Sequence, residues 1–116
     1  MFTNWALIYR DGRTPELAPV YDFHSLTVYQ QYRYTPLALT LNGEALGDRV
    51  RIEDLRRVAE GCGADPDQTA RTAAAATADL REAWQGGLRT EAQARFPLLA
   101  THFSYRLDTL PVCNSS

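Results

Sequence analysis

Asp11-Gly12 lies between two runs rich in aromatic and aliphatic residues, Trp5-Ala6-Leu7-Ile8-Tyr9 and Leu17-Ala18-Pro19-Val20-Tyr21. This dipeptide is a strong hairpin signal, because a primed turn needs positive φ and glycine takes it without a Cβ clash. The pattern predicts antiparallel strands over residues 5–10 and 15–21. Pro15 and Pro19 have no N–H to give to a ladder, so the second strand should be short, irregular or at an edge. Folding back on this turn brings Asn4 and Asp22 to the same open end. An amide oxygen beside a carboxylate suits a hard cation such as Mg²⁺, which takes few protein oxygens and completes its shell with phosphate and water.

Beyond the hairpin, residues 23–36 are polar and aromatic without a period and read as a long loop with at most a helical turn. Leu37, Leu39 and Leu41 alternate with Ala38 and Thr40, which predicts a half-buried strand ended by the tight turn Asn42-Gly43. The rest is expected to be helical. Ile52, Leu55, Val58 and Ala59 share one face of a short helix stopped by Gly61 and Gly63. Asp65-Pro66-Asp67-Gln68 supplies an N-cap, a first-turn proline and an acceptor. The helix it starts should run from about Pro66 to Gln85 and end at Gly86-Gly87. Its seam of Ala70, Ala73, Thr77, Leu80 and Trp84 offers small residues for close approach, then two large anchors. Thr90-Glu91-Ala92-Gln93 repeats the capping signature. Pro97 should break that helix and restart it with Leu98, Leu99, His102, Phe103 and Leu107 facing inward. Val112 to Ser116 should fray. The expected class is α+β: a short antiparallel hairpin and one further strand, followed by a mainly helical C-terminal part.

At 116 residues the chain is one domain or a piece of one. A net charge of −2 gives no electrostatic reason to expect nucleic acid or anionic membrane as a partner. No apolar run reaches the length of a membrane span, and the N-terminus does not read as a signal peptide. Cys62 and Cys113 are isolated and have no metal-ligand spacing, so a reduced, cytoplasmic protein is expected. Arg51, Arg56 and Arg57 interleave with Glu53, Asp54 and Glu60, which reads as a solvated, ion-paired face instead of a basic patch.

The string Asn4-Trp5-Ala6-Leu7-Ile8-Tyr9, then Arg10-Asp11-Gly12-Arg13, then Leu17-Ala18-Pro19-Val20-Tyr21-Asp22-Phe23 resembles the catalytic core of HipA-like serine/threonine kinases. These are the toxin components of bacterial toxin–antitoxin pairs. In that family the metal-binding Asp lies in a Pro-x-Tyr-Asp context, matched here by Pro19-Val20-Tyr21-Asp22. The resemblance continues through Leu37-Ala38-Leu39-Thr40-Leu41-Asn42-Gly43 and the helical tail. It implies that residues 1–43 hold a metal-site hairpin, an activation-segment-like loop and a strand, and that residues 44–111 are a helical part similar to the kinase large lobe. Asn4 and Asp22 would be the Mg²⁺ ligands at an ATP site, with a protein serine or threonine as substrate and an antitoxin or the missing kinase portion as partner.

The resemblance also defines what this polypeptide does not supply. The catalytic loop of kinases carries its base Asp about five residues before the Asn, and here Asn4 has only three residues ahead of it. Met1 and Thr3 stand where HipA-like proteins have a His and a Lys. All 12 basic residues are Arg, so no lysine is present to pair with ATP phosphates. The expectation is a C-terminal kinase fragment inactive by itself. Two alternatives stand beside it: a non-catalytic helical module that binds an antitoxin or kinase partner through the small-residue seam, and a mis-started reading frame. Ser25, Thr27, Tyr29, Tyr32 and Tyr34, in the activation-segment position, are expected to face water. His24 reads as a solvated loop residue and His102 as a boundary histidine of an apolar helix face.

Overall fold

The computed structural model describes residues 6–19, 29, 31, 36, 37 and 39–114. Strands β1 (Leu7–Ile8) and β2 (Glu16–Leu17) pair antiparallel, with Leu7 opposite Leu17 and Ile8 opposite Glu16. The Ala18 N–H donates to the Ala6 carbonyl at 2.8 Å and carries the pairing one step outward. The ladder is shorter than predicted, since Pro15 and Pro19 bracket β2 and neither can donate. Positions 5, 20 and 21 of the expected strands lie outside the described residues.

The turn is also built differently from the primed pair that Asp11-Gly12 suggests. Gly12 takes φ 73, but Asp11 has no positive φ. Its carboxylate instead accepts the N–H groups of Arg13 at 2.9 Å and Thr14 at 2.7 Å, and the Thr14 hydroxyl at 2.9 Å. A short acidic side chain substitutes here for backbone hydrogen bonds, and the connection widens to residues 9–15.

The predicted strand over 37–41 is not formed among the described residues. Leu41 and Glu44 make an isolated bridge around Asn42-Gly43, whose φ values are 51 and 80. The primed turn expected at Asn42-Gly43 is therefore present and the Leu37 N–H donates to the Ala45 carbonyl at 2.6 Å, but among the described residues the bridge does not extend into a ladder. Leu39 is left 66% exposed. The chain then passes through a 3₁₀ turn at Gly47–Arg49 into the helices.

Helix α1 (Ile52–Cys62) begins with the Asp54 carboxylate accepting the Arg51 N–H at 2.8 Å and ends at Gly63, φ 75. Helix α2 (Pro66–Ala83) begins at Asp65, whose carboxylate accepts the N–H groups of Asp67 at 2.9 Å and Gln68 at 3.1 Å. The two helices pack on each other, and Arg56 pairs with Asp67 between them. Val50, Ala59 and Ala70 are buried in this part of the chain. Arg57 reaches Glu53 at 3.2 Å and Glu60 at 3.0 Å, which is the ion-paired surface anticipated for that face.

The second helix ends at the glycine pair, close to where it was expected to: α2 stops at Ala83, and the wide π turn Trp84–Leu88, kinked at Gly87 with φ 126 and ψ −23, leads into α3 (Arg89–Arg95). Leu88 is already helical when α3 starts. No side-chain cap is made at the start of α3. Phe96, at φ −138 and ψ 69, makes the break expected at Pro97. Helix α4 (Pro97–Thr109) follows, then α5 (Pro111–Asn114), an ordered turn where fraying was expected.

The core centres on Trp84, Ala100 and Leu107, with Ala92, Phe103 and Cys113 packed against it. The Trp84 and Phe103 rings lie 4.5 Å apart at 51°, and the Trp84 indole N–H donates to the Ser104 hydroxyl at 3.0 Å. The inward stripe of α4 is Ala100, Phe103, Ser104 and Leu107, while Leu98 is 81% exposed. The predicted inward face was therefore misplaced at its first two positions: Leu98 and Leu99 point outward, and Ala100 fills the space beside Trp84. On α2 the expected anchor Leu80 is likewise exposed, and the neighbouring Arg81 faces the end of α4.

Candidate functional site

Asn4 and Asp22, the proposed Mg²⁺ ligands, both lie outside the described residues, as do His24, Ser25, Thr27, Tyr32 and Tyr34. What is described is the middle of the hairpin that joins the two ligand positions. Its turn is electrostatically organised: hydrogen bonds from the Thr14 and Arg13 backbone hold the Asp11 carboxyl down at about 2, from an ordinary 3.8. Arg10 pairs with Glu16 across the strands at 3.0 Å. Both groups are solvent-exposed, so these bonds define the turn more than they stabilise the protein. Leu7, Tyr9 and Leu17 remain more than half exposed.

Tyr29 is exposed, as expected, and His102 is half-buried on α4. Among the described residues, no group of three or more His, Cys, Asp or Glu is placed to hold a metal ion. None of their helices is long and apolar enough to cross a membrane.

Two open hollows mark the described surface. One, of about 620 Å³, runs along α2 beside α5 and is lined by Ala74, Thr77, Ala78, Arg81 and Cys113, among others. Its cation is already committed. Arg81 donates to the carbonyls of Leu107 at 3.0 Å and Cys113 at 3.2 Å, and to the Asn114 side-chain oxygen at 3.3 Å. Leu107 needs such a donor for a local reason. The residue four positions on is Pro111, which has no N–H to return to that carbonyl. Arg81 and the Asn114 amide, at 3.0 Å, cap it instead. Sequence reading missed this assembly. Pro111 signals the orphaned carbonyl, but nothing local names the arginine that reaches it.

The second hollow is bordered by Asn42, Asp48, Arg49, Arg51, Glu53 and Asp54. The Asp54 carboxyl is held below its usual range, chiefly by the Arg51 N–H and then by the Asn42 amide at 3.1 Å. Glu44, Asp48, Glu53 and Asp54 line it together with Arg49 and Arg51, and three of these carboxylates are engaged: Glu44 by the Leu46 N–H, Glu53 by Arg57 and Asp54 by the helix cap. No protein-family model matches the chain, and comparison with curated proteins and with solved structures finds no match.

Proposed function

We propose that the chain is the C-terminal part of a HipA-like serine/threonine kinase of a toxin–antitoxin system, inactive by itself. In this reading Asn4 and Asp22 are inherited Mg²⁺ ligands. The observation that carries it is the antiparallel pairing of Leu7–Ile8 with Glu16–Leu17, which lies in the sequence between Asn4-Trp5-Ala6 and Pro19-Val20-Tyr21-Asp22. Asn4 lies three positions before β1 and Asp22 five positions after β2 in the sequence. An amide oxygen and a carboxylate from these positions would match the chemistry of a Mg²⁺ that also takes ATP phosphate oxygens. The metal, when bound, would neutralise charge on the transferred phosphoryl group.

Positioning and electrostatics supply nearly all of phosphoryl-transfer catalysis. The sequence contains no lysine for the phosphates. The purified chain should therefore transfer no label from radioactive ATP to a protein serine or threonine; turnover abolished by Asp22→Ala would overturn the inactivity. The metal site has its own test. Mn²⁺ added with ATP should broaden the amide resonances flanking both Asn4 and Asp22, and Asp22→Ala should remove the effect. Broadening confined to other carboxylates would count against the shared site.

A second reading, a non-catalytic module that binds an antitoxin or kinase portion, is favoured by exposed apolar side chains on the last helices. Phe96, Leu98 and Tyr105 are each 60% exposed or more. The expected seam on α2 is a poorer binding face, because Ala70 is already buried. Size-exclusion chromatography with candidate antitoxins separates this reading from the first: a stable complex that survives Asp22→Ala but not Leu98→Asp supports the module.

A further inference from the structure

The π turn between α2 and α3 is held away from continuous helix by a single residue. Ala83, Trp84, Leu88 and Arg89 have helical angles, and within the turn only Gly87 departs from them, at φ 126 and ψ −23. A Cβ on Gly87 would meet nothing within 4 Å. The bend therefore rests on one backbone conformation that L side chains rarely adopt, at a position where a Cβ itself would meet no neighbour. If Gly87 returned to helical angles, residues 66–95 would run as one helix of about 45 Å.

The contacts that close the molecule back over this bend form a compact set. Arg81 binds the Leu107 and Cys113 carbonyls and Asn114, while Trp84 stacks near Phe103 and donates to Ser104. Every one joins a residue before Gly87 to a residue after it. A second copy of the chain can supply the same α4 and α5 surfaces to the same Arg81 and Trp84, and in a two-fold pair both sets are satisfied. We propose that Trp84–Leu88 is a hinge, and that its straightening exchanges the unit of α3, α4 and α5 between two copies of this chain. The exchange is independent of the kinase reading, since none of these residues belongs to the Asn4–Asp22 site.

The test is Gly87→Ala, with Gly86→Ala as control. Gly86 has helical angles and open space around it, so alanine there suits bent and straight forms alike. Alanine at 87 penalises only the bent form and should raise the dimer association constant tenfold or more by light scattering, whereas Gly86→Ala should leave it unchanged. In a dimer of labelled and unlabelled copies, an isotope-filtered NOE should join Trp84 of one copy to Phe103 of the other. A folded Gly87→Ala variant that stays monomeric at the same concentrations, or a dimer without that intermolecular NOE, overturns the proposal. If Gly87→Ala does not fold, wild-type protein refolded at high concentration decides: a dimer with the NOE supports exchange, and monomer alone sinks it.

Discussion

The hairpin and the helical part are held together at different ranges. In the hairpin, Asp11 binds residues two and three positions away and the ladder has two residue pairs. In the helical part, Trp84 reaches a partner 20 positions away and Arg81 reaches partners 26 to 33 positions away. Local bonds shape a turn but bury nothing, and an isolated two-stranded hairpin is marginal in water. Long-range contacts around a buried ring close a core. The two regions should therefore fail separately, and four measurements can show whether they do.

The largest effect belongs to Trp84→Ala, which removes the centre of the core and should cost about 3–5 kcal/mol. Urea unfolding followed by circular dichroism should show the helical transition collapse, while the Leu7–Leu17 amide shifts stay put. Loss of both together would merge the two regions into one cooperative unit. Next, Arg81→Ala leaves the Leu107 carbonyl with fewer donors and should cost about 1–3 kcal/mol. Hydrogen exchange should rise first at residues 110–114. Asp65→Ala deletes the α2 cap and should lower stability by about 1 kcal/mol, again without touching the hairpin.

The smallest effect is local and depends on pH. The Asp11 carboxyl is depressed from 3.8 to about 2, so its hydrogen bonds contribute above the ordinary value and are lost as pH falls through about 2. The amide shifts of Arg13 and Thr14 should follow that low midpoint, and Trp84 fluorescence should not. A midpoint near the ordinary carboxylate value would mean that the turn bonds do not persist in solution.

The parts of the fold that were legible were those specified by a few adjacent residues. Asp65-Pro66 starts α2, Gly63 ends α1, Asn42-Gly43 turns, and Pro97 restarts a helix, each for a reason contained in its own neighbourhood. The failures are questions of phase and partner. Leu98, Leu99 and Leu80 look like core residues by hydrophobicity, yet Ala100 is the residue packed against the Trp84 indole and Arg81 the one that reaches the Leu107 and Cys113 carbonyls. Hydropathy measures what a residue would prefer, and it does not say how much room its neighbour leaves. Leu37–Leu41 shows the same limit for strands, since alternation marks a candidate edge but cannot supply the second edge. Of the candidate site, the hairpin and its polarity were legible. The ligand pair itself lies outside the described residues.

The clasp that Arg81 makes on the chain's last turn addresses main-chain oxygens at Leu107 and Cys113. It is consequently indifferent to which side chain occupies position 113 and sensitive to how many residues separate the two carbonyls. Adding or removing one residue in α4 or α5 would rotate everything after it by about 100° and carry the second carbonyl away from the guanidinium. At positions 107 and 113 the clasp constrains the chain's length more tightly than its spelling, whereas Asn114 joins it through its side chain.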